Sequence, residues 1–240
     1  MKTTYLQADG SRIDLEMRDV GPFDAWNSQI DLVGRLDGTA PDASRTRTFH
    51  VAPRGNYDSY MSFDMESEPL QRLSYDGGEF LVAASNVKGR TRGLALWRGP
   101  HHEVATYVAN SEALDVTPAL DRLSGLRFHD EPDGLVVTSE VGETIRVKES
   151  FTFFPEVGTL DVYSPEVGLP MVPSWSGAKA RLGEVWRSTF PEDPASTFFV
   201  ISSPSAVAVL TPRVHEREFE EKCAALLDGI ARLAHTPKNG

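Results

Sequence analysis

The fold is decided by residues 183–233, which read GEVWRSTFPEDPASTFFVISSPSAVAVLTPRVHEREFEEKCAALLDGIARL. Three segments are predicted strands: residues 184–190, and the runs 197–201 and 206–210, which are rich in valine, phenylalanine and isoleucine. Such runs favour β-strands, and the short break of serine and proline between the last two is typical of a hairpin. This stretch therefore predicts three strands that precede a helix.

The helix is predicted from apolar residues that recur at intervals of three and four, with charged residues on the opposite side. The apolar stripe consists of Phe219, Cys223, Leu226, Leu227, Ile230 and Leu233. Thr211-Pro212 is a start signal for the helix, and Thr236-Pro237 is a stop signal. Because Cys223 lies inside the stripe, we expect a packed core residue there and not a nucleophile.

Residues 78–126 resemble this C-terminal unit. Gly78-Glu79 matches Gly183-Glu184, and the interval from Glu79 to Pro100 is 21 residues, against 20 from Glu184 to Pro204. If the match is a true duplication, the chain consists of two β-rich halves, residues 1–126 and 127–240, each closed by a helix. Chance similarity and a single integrated domain remain the alternatives.

The rest of the chain adds mostly strands. Residues 47–52 alternate in polarity, and residues 60–65 are predicted to be the neighbouring strand. Residues 53–59 are too polar and glycine-rich for a strand, and the prolines among residues 155–173 favour turns and a long loop. The predicted fold class is α+β with mostly antiparallel sheet.

Composition limits the classes of function. The net charge is −11, which argues against a general nucleic-acid binder and is compatible with a basic partner. No apolar run approaches the ~20 residues that span a bilayer, and the N-terminus lacks the pattern of a signal peptide. A single cysteine cannot form an internal disulfide, so we expect a cytoplasmic protein. A homodimer is an open alternative.

Candidate catalytic residues are few. On a strand, His101 and Glu103 would share one face and could act as an acid–base pair, and His129 lies beside Asp130 and Glu131. A solvent-facing strand and an ordinary loop are the alternative interpretations. No metal-binding, phosphate-binding or dinucleotide motif occurs, so no metal and no cofactor are predicted.

Candidate binding residues lie in three predicted loops. Arginine and tyrosine beside small polar residues are typical of interfaces, arginines can hold an anion, and an aromatic residue in a proline-rich loop has few local packing partners. These residues are Arg54, Asn56, Tyr57, Tyr60, Arg90, Arg92, Met171 and Trp175.

The first hypothesis is a non-catalytic accessory protein that holds a polypeptide or peptide partner, in a groove between two sheet halves or at a free strand edge. Its basis is the lack of any catalytic motif beside a strand-rich layout with aromatic loops. An enzyme with a site assembled from scattered histidine, glutamate and arginine residues is one alternative. An acidic inhibitor of a basic toxin is the other.

Overall fold

The computed structural model describes residues 1–18, 22–35, 41–64, 69–87, 90–109, 116–214 and 216–238. The strands are β1 (Lys2–Leu6), β2 (Arg12–Met17), β3 (Asn27–Arg35), β4 (Pro41–Pro53), β5 (Pro69–Tyr75), β6 (Gly78–Val87), β7 (Arg90–Arg98), β8 (His102–Ala109), β9 (Leu126–Glu131), β10 (Gly134–Ser139), β11 (Thr144–Phe154), β12 (Gly158–Tyr163), β13 (Ala178–Ala180), β14 (Gly183–Phe190), β15 (Asp193–Ser202), β16 (Val207–Pro212) and β17 (Ile230–Thr236). The helices are α1 (Asn56–Ser59), α2 (Val116–Leu123), α3 (Pro165–Gly168) and α4 (Arg217–Gly229). A π-helical segment, Tyr60–Asp64, follows α1, and a 3-10 turn, Leu169–Met171, follows α3.

The chain divides into two compact units. Residues 27–147 form one of them, here called the central unit, and residues 1–26 with 148–240 form the other, here called the terminal unit. The predicted division between residues 126 and 127 falls inside β9, which pairs with β10 in the central unit. The fold is α+β with mostly antiparallel sheet, as predicted. No helix in the described part of the chain is long and apolar enough to cross a membrane.

The terminal unit contains six strands in the order β13-β14-β15-β16-β12-β11 and three in the order β17-β2-β1. Their apolar faces meet in one core, to which α4 contributes Cys223 and Leu226. Phe199 and Ile201 of β15 and Leu15 of β2 belong to the same core. A smaller cluster lies on the other face of the six strands, where Trp186, Val200 and Val207 are buried under Val172.

The central unit contains six strands in the order β3-β4-β8-β7-β6-β5, and the pair β10-β9. On one face, Trp97 of β7 stacks on Phe128 of β9 with 4.2 Å between ring centroids. On the other face, α1 and the π-helical segment place Tyr57 and Met61 against the sheet. The spacing explains this placement, because Tyr57 and Met61 are four positions apart and therefore lie on one helical face.

The predicted C-terminal helix is wrong at both ends. Thr211-Pro212 ends β16 and does not cap the helix, which begins at Arg217. The helix ends at Gly229, and Ile230 and Leu233 belong to β17, which pairs with β2. Cys223 is fully buried, as predicted, and burial raises the pKa of its thiol to about 12.

Two predictions in the middle of the chain are also wrong. Residues 60–65 do not pair with residues 47–52, because β4 is already flanked by β3 and β8, so Tyr60–Asp64 is helical instead. The proline-rich stretch contains a buried strand, β12, between β11 and β16, and the loop begins only after it.

Candidate functional site

The loop between β12 and β13 in the terminal unit exposes three large apolar side chains. Leu169 is 58% exposed, Met171 41% and Trp175 60%. We call these three residues the loop surface. Val172, between them, turns inward and packs on the cluster of Trp186, Val200 and Val207. Because Val172 anchors the loop, it presents the loop surface outward.

The backbone of Trp175 is fixed to the sheet although its ring is exposed. Its carbonyl oxygen accepts a hydrogen bond of 2.7 Å from Nε1 of Trp186. Gly177 then crosses the Trp186 ring so closely that a β-carbon there would lie 2.7 Å from it. The backbone of Trp175 is therefore fixed while its ring is exposed. An aromatic residue in this arrangement can act as an anchor in an interface.

The loop surface leads directly into the strand at one end of the sheet. β13 pairs with β14 on one side and is the last strand in the order among the described residues. All three of its residues are exposed. An end strand of this kind presents unpaired backbone groups that can bind an extended chain.

A pair of carboxylates lies on the same sheet face as Val207 and Val209. Asp161 of β12 is opposite Val209 of β16, and Glu149 lies on the neighbouring β11. Tyr163 donates a hydrogen bond of 3.4 Å to Oε2 of Glu149. Burial, and then the nearby charge of Glu149, raise the pKa of Asp161 from 3.8 to about 7. Both carboxylates lack a cationic partner in the described part of the chain.

The central unit holds an aromatic group where sequence analysis expected a binding loop. Tyr57 is only 7% exposed and belongs to the core. Tyr60 makes edge contacts with Tyr57 and Tyr107, at centroid distances of 6.1 and 5.9 Å, and His50 makes one with Tyr107. Tyr57, which was expected to bind a partner, is therefore a core residue.

Glu103 is fully buried, and both of its oxygens are hydrogen-bonded. Arg98 donates from Nε to Oε2 at 2.8 Å, and the amide of Tyr57 donates to Oε1 at 2.6 Å. Arg98 also reaches Asp58 at 2.7 Å. These bonds tie α1 to β7 and β8. A carboxylate that is satisfied in this way is a structural tie and a poor acid–base group.

His101 does not pair with Glu103, because it precedes β8 in an exposed turn. The neighbouring His102 pairs instead, with 2.7 Å between its Nδ1 and Oδ1 of Asp130. Oδ2 of Asp130 accepts hydrogen bonds from the amides of His101 and His102, at 2.8 and 3.2 Å. The arrangement fixes the turn between β7 and β8 to β9.

The remaining predicted residues are dispersed. Arg54 donates to the carbonyl of Gly99 at 2.5 Å, and Asn56 is exposed at the start of α1. His129 is not in a loop but exposed on β9. The side chains of Arg90 and Arg92 lie outside the described residues.

Leu169, Glu149 and Asp161 were not among the residues that the sequence pattern indicated. The signal for Asp161 was the alternation of Leu160, Asp161 and Val162, which is a strand pattern hidden by the surrounding prolines. Leu169 had no such signal, since its exposure depends on the direction of the loop.

Comparison of the chain with protein-family models, with curated proteins and with solved structures finds no match in any of the three. Within the described residues, no three histidine, cysteine, aspartate or glutamate side chains come together as a metal-binding group.

Proposed function

We propose that this protein is a non-catalytic binding protein that holds a polypeptide partner on the loop surface of the terminal unit. The observation that carries the proposal is the exposure of Leu169, Met171 and Trp175 within seven residues of one anchored loop. Large exposed apolar residues are ordinary when scattered, but a group of them next to a sheet edge marks an interaction site. An extended partner segment pairs with the free side of β13 while its side chains contact Trp175.

We also infer that the two units are duplicates. Each unit contains a set of six strands, β3 to β8 and β11 to β16, and the spatial order of the six is the same in both units. In each unit the second strand along the chain lies between the first and the sixth. The turns before β8 and β16 are closed by the same 2.9 Å hydrogen bond, from Gly99 to His102 and from Ser203 to Ala206. Along the described chain, the next helix after the sixth strand is α2 in the central unit and α4 in the terminal unit, and the next strand is β9 or β17, which lies outside the set of six.

The glycines that begin β6 and β14 support the same inference. A β-carbon on Gly78 would lie 2.5 Å from the carbonyl oxygen of Arg98, and one on Gly183 would lie 2.0 Å from that of Ser202. Glu79 pairs with Arg98, and Glu184 pairs with Ser202. Both glycines thus allow the same close approach of two strands. An experimental structure in which residues 78–131 and 183–236 do not superpose would end the inference.

This correspondence explains why the partner is expected at the terminal unit. Ala52 pairs with Glu103 in the central unit, and Tyr163 pairs with Val207 at the equivalent place in the terminal unit. Counting the same number of residues onward from Ala52 and from Tyr163 makes Tyr57 equivalent to Gly168, and Tyr60 equivalent to Met171. In the central unit Tyr60 packs against two aromatic rings, whereas Met171 is exposed. The terminal unit therefore exposes, at the equivalent position, a side chain that the central unit covers with its own residues.

The test is photo-crosslinking from Trp175. The variant Trp175→p-benzoylphenylalanine, expressed in the native cell, is expected to capture one polypeptide. The matched control is Val141→p-benzoylphenylalanine, because Val141 is 70% exposed but lies in the central unit. Capture at both positions, or at neither, contradicts the proposal.

The captured polypeptide then serves as the ligand for titration. Trp175→Ala should weaken its binding by about 30-fold, which corresponds to the roughly 2 kcal/mol of an aromatic anchor. His101→Ala and His129→Ala should bind it normally. Loss of a turnover activity in the histidine variants, with normal binding by Trp175→Ala, would favour the enzyme alternative.

We place this function in the cytoplasm, which suits a chain with one buried, unpaired cysteine. The enzyme alternative is weakened by Glu103, whose oxygens are both engaged. The acidic-inhibitor alternative has the net charge of −11 in its favour.

A further inference from the structure

The carboxylates of Asp161 and Glu149 form an anionic end to the apolar face that the loop surface borders. Asp161 lies opposite Val209, and Val209 packs on the same cluster as Val172, the residue that anchors the loop. Both carboxylates are half-buried. Two like charges beside apolar side chains, with water partly excluded, are more costly than exposed ones.

Arg213 lies on the same sheet face, but its guanidinium packs on the Phe153 ring at 5.9 Å and donates to the carbonyl of Pro155. It forms no ion pair with Asp161 or Glu149 among the described residues. The cations that follow the loop are further away. Lys179 and Arg181 lie at and just after β13, which is four strand positions from β12 in the sheet. At about 4.8 Å for each position, this is roughly 19 Å. That distance exceeds the ~8 Å over which exposed charges interact at physiological salt.

The central unit carries a histidine and not a carboxylate at the position equivalent to Asp161. His50 faces Ala105 as Asp161 faces Val209, and the His50 ring contacts Tyr107 edge-on at 5.7 Å. Thr211, which corresponds to Tyr107, carries no ring. The terminal unit thus combines negative charge with a smaller side chain where the central unit has an aromatic pair.

We propose that the partner segment is basic, and that an arginine or lysine in the part of it that crosses the sheet face from β13 towards β12 pairs with Asp161 and Glu149, while its apolar residues lie on Leu169, Met171 and Trp175. This inference rests on the proposed function and specifies the chemistry of the partner. Arginine fits best, because its planar guanidinium can donate to two carboxylates at once and loses less hydration than lysine. The net charge of −11 favours the approach of such a segment.

The experiment uses two synthetic peptides as probes and the full chain as receptor. One peptide alternates valine with arginine, and the other has glutamate in place of each arginine. Binding is measured by isothermal titration at about pH 8, above the pKa of Asp161, so that both carboxyl groups are ionised. The wild-type chain should bind the arginine peptide at least about tenfold more tightly than the glutamate peptide.

The double variant Asp161→Asn/Glu149→Gln should lose this preference. Its matched control is Asp133→Asn/Glu131→Gln, which changes the net charge by the same amount at exposed positions of the central unit. The control should keep the preference. Equal losses in the two variants would show that the preference comes from the total charge, and this would overturn the inference.

Trp175→Ala separates the two proposals. If it weakens both peptides while the wild type prefers neither, the loop surface binds polypeptide but the partner is not basic. Binding of neither peptide, together with a polypeptide captured at Trp175, overturns the inference alone. Binding of neither peptide and no capture at Trp175 overturn both proposals.

Discussion

Asp161→Asn should make the protein more stable at neutral pH, and the gain should depend on pH. In the folded chain, burial and the charge of Glu149 raise the pKa of Asp161 from 3.8 to about 7. In the unfolded chain the carboxyl group returns to its ordinary value. The folded state therefore holds a proton that the unfolded state releases, between about pH 4 and pH 7.

The sign and size of the effect follow from this difference. Below about pH 4 the group is neutral in both states, and the pKa difference costs nothing. As the pH rises towards 7, unfolding releases a proton, so the stability falls by up to 1.4 kcal/mol for each pH unit. Across about three units the full cost is about 4 kcal/mol, and above pH 7 it is constant. An asparagine cannot ionise and removes this cost.

The assay is urea unfolding of the wild type and of Asp161→Asn at several pH values from 4 to 8. Relative to the wild type, the variant should gain about 1 to 4 kcal/mol between pH 4 and pH 8, the lower figure applying if water reaches the folded carboxylate. Asp133→Asn, at an exposed hairpin, is the control and should show no such trend. A difference between wild type and Asp161→Asn that is the same at pH 4 and pH 8 would refute the reasoning.

Three further predictions concern the two cores. Leu226→Ala should cost about 2–5 kcal/mol, because Leu226 is buried in the terminal-unit core, whereas Phe219→Ala should cost less, because Phe219 is only half-buried beneath Lys222; chemical unfolding of both variants measures the difference. Arg98→Met should cost about 3–5 kcal/mol by leaving Glu103 buried without its cation, and Arg98→Met/Glu103→Leu should recover most of it; a double variant no more stable than the single one would contradict this account. Tyr57→Ala should cost about 3–5 kcal/mol as a core deletion, and the folded variant should still bind the captured polypeptide, so weakened binding at a temperature where it is folded would mean that Tyr57 contacts the partner.

Local patterns were enough to predict the strands around residues 184–210 and the burial of Cys223. Runs of β-branched and aromatic residues favour strands wherever they lie, and an apolar residue inside a stripe is buried whichever partner covers it. The α+β class follows from the same patterns, since many short strands and few helices leave few other arrangements. Trp175 was also a candidate from the sequence, because an aromatic residue in a proline-rich loop has few local packing partners.

The end of α4 could not be predicted from its sequence. Ile230 and Leu233 are three residues apart, which suits one face of a helix and would normally place them on opposite faces of a strand. In β17 a bulge between Ile230 and Arg232 adds one residue, and both side chains then face the core. The same apolar spacing therefore fits a helix and a bulged strand, and pairing with β2 decided between them.

The candidate sites depend on tertiary structure for a similar reason. Arg98, Glu103 and Asp58 form one hydrogen-bonded network, with Glu103 at its buried end, only because β7 lies beside β8 and α1 folds over both. Asp161 meets Glu149 because β12 pairs with β11. The sequence by itself determined which residues are apolar, charged or able to turn the chain. Which of them are buried, and which charges remain without a partner, was decided by strand pairing, because pairing joins residues whose separation along the chain carries no local signal.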